Sequence, residues 1–210
     1  MPAHTDQETT APNRRGRGRR PAAEVRADAL RAAGALLFDS GMGAFTIEAV
    51  AAKAGISKTT IYKWWPSRGA LALDGYFHTV EPALTFPDSG DIEADLAAQL
   101  GAFVHLLTRT PAGRVITELI GQAQTDPDLA VALRTRYSDP RRRLAVEAMR
   151  RAQERGQLRA DADCEALVDQ LWGACYHRLL LSDLPLTEEF TANLLANVLH
   201  GAAPRTRPAP

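Results

Sequence analysis

Two helix starts and one glycine stop are compressed between Phe45 and Leu71, in the stretch FTIEAVAAKAGISKTTIYKWWPSRGAL. Thr46 stands where an N-cap belongs before the apolar-periodic run Ile47–Ala54, and Gly55 stands where that run must end. Ser57 caps a second run, Lys58–Trp64, which Pro66 cuts off, and Ser67 caps a third from Arg68. Helices this short are not stable alone and hold only by burying an apolar face. Ile47, Val50, Ala51, Ile56, Ile61 and Trp65 supply that face. The spacing predicts a helix-turn-helix at about 45–64, and such a pair docks its second helix in the major groove of duplex DNA.

The outward residues suit that partner. Lys58, Thr59 and Thr60 open the second helix, the end nearest the bases in such dockings. Lys donates to guanine O6 and N7, and Thr bonds base edges or touches a thymine methyl. Tyr62 is spaced to reach a phosphate or a base, and Lys63 a phosphate. Arg68 and Thr46 sit at helix N-termini, where backbone N–H groups already favour an anion. Glu48 has two readings, an acceptor for cytosine N4 or a carboxylate placed for the helix dipole.

A net charge of +0 conceals an uneven distribution. From Arg14 to Arg68 eleven basic residues face four acidic ones, whereas 69–210 holds fourteen basic and nineteen acidic. All three lysines, Lys53, Lys58 and Lys63, lie in the helix-turn-helix. Such asymmetry marks a nucleic-acid-binding end, and the acidic remainder would be repelled by phosphate. Residues 1–21 are polar and carry Arg14, Arg15, Arg17, Arg19 and Arg20, a disordered basic arm by composition. It reads equally as a minor-groove or phosphate-tracking arm and as a solubilising tail.

The rest is helical by periodicity, with no convincing strand alternation. The first helix is expected over about 22–40, ended by Gly41 and Gly43, and the fourth over about 68–81. Others are expected at 91–108, 112–124, 127–155 with a kink at Pro140, 163–182 and 187–200. The fold class is therefore all-α, with about nine helices. A DNA-binding domain at 22–82 precedes a C-terminal domain at 83–203, and 204–210 form a tail. Cys164 and Cys175 are eleven apart, about 16 Å along one helix, too far for a disulfide. They read as buried small hydrophobes. No apolar run approaches the ~20 residues of a membrane span, and the N-terminus lacks a signal-peptide apolar region, so a cytoplasmic chain is expected. There is no glycine-rich phosphate loop, metal-ligand spacing or nucleophile–base motif, so no enzyme, catalytic residue, metal or cofactor is expected.

The segment resembles the TetR family of bacterial transcriptional regulators. The resemblance rests on Phe45-Thr46-Ile47, Val50-Ala51, Ala54-Gly55-Ile56-Ser57, Thr60-Ile61-Tyr62, Pro66-Ser67-Arg68 and Ala70-Leu71, within about 22–82. Trp65 and Arg68 depart from the common Phe and Lys and keep an aromatic plug and a phosphate cation. Gly156-Gln157-Leu158-Arg159 and Tyr176 to Leu180, with Pro185-Leu186, look like one C-terminal subgroup of the family. The resemblance implies a regulatory and dimerisation role for 83–203, a homodimer whose last two helices form a four-helix bundle, and a repressor released from a palindromic operator by a small molecule. It also implies DNA contacts at Thr46, Lys58, Thr59, Thr60, Tyr62, Lys63 and Arg68. The alternative is the same DNA-binding regulator without small-molecule input.

The apolar residues of 163–200, among them Leu167, Leu171, Leu179, Leu180, Phe190, Leu194 and Val198, agree with a two-fold interface or with internal packing. A ligand pocket would lie among the fourth to eighth helices. Its aromatic and polar candidates are Tyr76, Phe77, Phe103, His105, Tyr137, Trp172, Tyr176 and His177, each of which could equally be ordinary core or surface.

Overall fold

The computed structural model describes residues 20–201. The basic arm, apart from Arg20 and Pro21, and the 204–210 tail lie outside them. Among the described residues all regular structure is helical: α1 (Ala22–Ala44), α2 (Ile47–Ala54), α3 (Lys58–Tyr62), α4 (Arg68–Val80), a 3-10 turn (Glu81–Leu84), α5 (Ile92–Arg109), α6 (Ala112–Ala123), α7 (Pro127–Ala132), a π-helical turn (Leu133–Ser138), α8 (Asp139–Glu154), α9 (Cys164–Leu180) and α10 (Glu188–His200). No described helix is long and apolar enough to cross a membrane.

Side-chain caps set most of the starts. Thr46, Ser57 and Ser67 accept from Ala49 N, Thr60 N and Ala70 N, each at 3.1 Å. Asp91, Asp126, Asp163 and Thr187 do the same for α5, α7, α9 and α10. Each such cap satisfies a backbone donor that the helix leaves orphaned.

Three expected boundaries shift. The first helix is broken at Gly41, with φ 71°, but a further turn carries the element to Ala44. The Met42 N–H freed there donates to Glu118 Oε2 of α6 at 2.6 Å, and Arg114 Nη2 donates to Phe38 O at 3.3 Å, so the end of α1 is clamped to the body. The second helix of the motif stops at Tyr62 rather than Trp64. Pro66 disfavours helical backbone at the preceding Trp65, whose ring is fully buried. In the long rod, the irregularity precedes Pro140 rather than falling on it. Pro140 lacks an N–H, and its ring would crowd the carbonyl of Arg136 in regular helix; the π-turn at Leu133–Ser138 widens the backbone there.

The core runs through both halves of the chain. α1 crosses α4, with Ala33 and Leu37 of the one and Leu71 and Leu73 of the other all buried, and α4 also packs on α6 and α7. The crossing is close because Gly75 faces Ala33 and Gly34; a Cβ at Gly75 would lie 2.7 Å from Ala33 Cβ and 3.1 Å from Gly34 N. Cys164 and Cys175 are free and buried, with Cys164 Sγ donating to Gln153 Oε1 at 3.0 Å.

Gly75→Val should therefore lower stability by about 1–3 kcal/mol, because backbone rather than a flexible side chain must give way. Gly121→Ala, in an exposed stretch of α6 with nothing within 4 Å of the added carbon, should raise it by roughly 0.5–1 kcal/mol. Urea titrations at one fixed protein concentration measure both. Burial pushes the Cys175 thiol up to about 12, which leaves on the order of one part in ten thousand as thiolate at pH 8. Native protein should consume a thiol reagent at that site only as fast as it unfolds.

Candidate nucleic-acid interface and interior cavity

α2 and α3 are held at their angle by what they bury. Ile47, Val50, Ala51, Ile61, Phe45 and Trp65 are buried, and Ile56 packs partly against them. Gly55, in left-handed backbone with φ 65°, ends α2 and returns its N–H to Ala51 O and Ala52 O.

With Ile61 and Trp65 turned inward, the other face of α3 is left to solvent. Lys58, Thr59, Tyr62 and Lys63 are exposed there, Tyr62 to 53%. At spacings of i, i+1, i+4 and i+5 they form a single face. Thr46 is exposed at the start of α2, and Arg68, exposed at the start of α4, donates from Nη1 to Phe45 O at 3.4 Å. Thr60 is less available: it is half-buried, and its hydroxyl meets the Ser57 hydroxyl at 2.9 Å. Glu48, in the first turn of α2, has a further role that neither sequence reading named. Its Oε1 accepts from Lys58 Nζ at 3.0 Å, and that hydrogen bond holds the carboxyl below its usual range. The first cation of α3 is thus paired with a carboxylate of α2. Of the arm arginines, Arg20 is described; its guanidinium pairs with Asp28 on α1.

Below the motif, the Asp74 carboxylate of α4 gathers three elements. It accepts from Trp65 Nε1 at 2.8 Å, and from Arg136 Nη1 at 2.9 and 3.1 Å, with Arg26 Nη2 at 3.5 Å. Arg26 also lies 5.3 Å from the centre of the Trp65 ring. Sequence reasoning missed both Asp74 and Arg136, since nothing local marks two residues 62 apart as partners.

A cavity of about 360 Å³ opens between α5, the π-turn, α8 and α9. Phe86, Phe103, Trp172, Val168 and Leu144 give it apolar walls, and Gln99, Tyr137, Arg141 and Tyr176 bring polar groups. Four of the eight candidates, Phe103, Tyr137, Trp172 and Tyr176, line it. Tyr76 is fully buried and packs edge-on against Tyr137, with ring centres 6.0 Å apart; Phe77 does likewise at 4.7 Å. Neither reaches the cavity wall, and His105 and His177 are exposed away from it. Gln99 and Arg141 were not anticipated. The available signal was the Arg141-Arg142-Arg143 triplet directly after Pro140. Arg142 is engaged at the mouth, by Asp169 at 2.8 and 2.9 Å and Glu165 at 3.1 Å.

The Tyr137 and Tyr176 hydroxyls lie 3.3 Å apart. Burial drives the Tyr76 and Tyr176 phenols well above their ordinary range, so both stay neutral. Among the described residues no group of His, Cys, Asp and Glu could hold a metal ion.

Comparison with known proteins agrees with this arrangement. Residues 29–74 match the family described as bacterial regulatory proteins, tetR family, and residues 86–198 match the tetracyclin repressor-like C-terminal domain. The uncharacterized HTH-type transcriptional regulator YdeS of Bacillus subtilis (strain 168) is 34% identical over 172 residues, 82% of this chain and 86% of that protein. A DNA-binding transcriptional repressor TetR of Mycobacteroides abscessus is 30% identical over 167 residues, covering 78% of this chain and 86% of its own. The crystal structure of the TetR family transcription regulator SCO0332 superposes with a TM-score of 0.81 at 60% identity, over 86% of this chain and 100% of that one. With a capped helix-turn-helix, an exposed polar face on α3 and both domains matched, the chain belongs to the TetR family of DNA-binding transcriptional regulators.

Proposed function

We propose that this regulator is a homodimeric repressor, released from a palindromic operator by a small molecule bound in the interior cavity. The observation that carries the DNA contacts is the division of α3. Ile61 and the following Trp65 lock one side into the core, while Lys58, Thr59, Tyr62 and Lys63 stand free on the other. Thr46 and Arg68 flank them as phosphate contacts, and Thr60 contributes if its bond to Ser57 opens. The domains divide along α4, the DNA-binding unit at 22–82 and the regulatory unit at 83–203. Action on chromosomal DNA makes the cytoplasm its place of work.

Dimerisation is supported by what α9 and α10 leave uncovered. On α10 only Thr191 and Leu195 are buried, while Phe190, Leu194, Val198 and Leu199 are half-exposed. Leu167 and Leu179 on α9 are likewise half-exposed, and Leu181, just beyond it, is 79% exposed. A second copy would cover these faces about a two-fold axis and set two α3 helices about 34–36 Å apart for a palindrome.

Release is supported by the cavity and by what borders it. A filled interior would have favoured a regulator with no small-molecule input. Tyr137 lines the cavity and its neighbour Arg136 holds Asp74, which holds Trp65 behind α3. A ligand that displaces Tyr137 pulls on Arg136 and so favours a state in which α4 and α3 sit differently. That differential affinity is what release requires.

Replacing Tyr62 and Lys63 together with Ala should weaken binding to duplex from the gene's own upstream region by at least about tenfold, and flatten the slope of log K against log salt by about 1. Fluorescence anisotropy across a salt series reads both, and wild-type affinity in the double variant would remove α3 from the site. Leu194→Arg should shift sedimentation from dimer to monomer with helix content retained, and operator affinity should fall with it.

A further inference from the structure

We propose that the cavity takes a planar aromatic acid, with its rings against Phe103 and Trp172 and its anionic oxygen at Arg141 and the Tyr137–Tyr176 hydroxyl pair. This rests on the ligand-released reading above and names the chemistry of the ligand.

The walls decide the body of the ligand. Phe86 and Trp172 stand 6.5 Å apart with their planes tilted by 39°, and Phe103 meets Tyr176 edge-on at 5.6 Å. Ring faces and edges at such angles favour a flat aromatic guest, which gains stacked and edge-on contacts without losing chain entropy. A flexible alkyl chain would lose rotamer freedom for the same area. At about 360 Å³ the space suits two or three fused or linked rings and little more.

The polar end decides its charge. Arg141 is half-buried on the wall and donates from Nη2 to Leu84 O at 3.0 Å. With the Gln99 amide turned so that both its ends are satisfied, Gln99 accepts from Arg141 Nη2 at 3.1 Å and donates to Thr85 O at 3.0 Å. Among the described residues no carboxylate pairs with Arg141, in contrast to Arg142 beside it, which holds two. A guanidinium beside apolar walls with only neutral acceptors is short of an anion. The two phenols add a donor. Tyr137 and Tyr176 share one contact at 3.3 Å, which uses one of their two protons and leaves the other free for a ligand oxygen. Tyr76 is buried behind Tyr137, and its own hydroxyl has no hydrogen-bond partner. No carboxylate is available to neutralise a ligand cation except Asp169, which Arg142 already occupies.

The test titrates purified full-length protein, without DNA, by calorimetry with three probes: naphthalene-2-carboxylate, naphthalene-2-carboxamide and decanoate. The expected result is binding of the aromatic acid about tenfold or more tighter than either the neutral amide or the alkyl acid. Arg141→Met should abolish the preference for acid over amide while the amide still binds. Tyr176→Phe should cost the acid several-fold, and Arg141→Lys should keep part of the preference. Thermal unfolding checks that each variant is folded. Decanoate binding as tightly as the aromatic acid, an unchanged acid-to-amide ratio in folded Arg141→Met, or no heat from any probe at millimolar concentration would overturn the proposal. Operator release is measured separately. An aromatic acid that binds as described but leaves the operator complex intact supports this assignment and sinks the release reading instead.

Discussion

The Asp74 carboxylate is the point on which the two halves of this regulator depend. Its side chain is 14% exposed, and it accepts hydrogen bonds from the Trp65 indole and the Arg136 guanidinium, with Arg26 close by. Each donor comes from a different part of the chain: the end of the helix-turn-helix, the π-turn of the C-terminal domain, and α1. Hydrogen bonds to a charged group contribute about 1.5–3 kcal/mol each when part-buried, and removing one partner strands the rest. Trp65 in turn closes the core behind α3, so the position of α3 is tied to the position of an arginine in the C-terminal domain.

That arginine is next in sequence to a residue of the cavity wall. On a helix, neighbours point about 100° apart, so Arg136 reaches Asp74 while Tyr137 faces the cavity. The π-turn that carries both lies beside Pro140 and is the least regular part of the rod. π-helical turns of this kind are frequent at functional sites. In the release we propose, the ligand selects between two settings of this turn, and the DNA complex selects the other. The coupling is then reciprocal: operator binding weakens ligand binding by the same factor. The Lys58–Glu48 pair adds a local term, since a phosphate must displace a carboxylate to engage Lys58.

The helix-turn-helix was legible in the sequence because its signals are local. Thr46, Gly55, Ser57 and Ser67 act within a few residues of themselves, and the structure places each at the boundary expected of it. The all-α class followed from apolar spacing in the same way. The overreach at Trp64 and the displaced kink at Pro140 share a cause: proline acts on the turn before it, and how the backbone yields depends on tertiary packing. The cavity was only partly legible. Phe103, Tyr137, Trp172 and Tyr176 were marked by chemistry alone, and so were His105 and His177, which face solvent. Composition names residues able to line a cavity; only the crossing of α5, α8 and α9 says which do. Asp74, Arg136 and Gln99 were invisible for the same reason, each being defined by a partner elsewhere along the chain, and the Arg141-Arg142-Arg143 triplet did not say which arginine meets the cavity.

A double-mutant cycle on Arg136→Met and Trp65→Phe, read as affinity for an operator selected from random duplex, tests the link through Asp74 most directly. If the carboxylate carries the coupling, the two changes will be non-additive by at least about 0.5–1 kcal/mol in binding free energy, because each removes a donor to the same acceptor. Additivity within about 0.3 kcal/mol, with both variants folded and in the wild-type oligomeric state, would contradict the account and detach the cavity-bearing turn from α3.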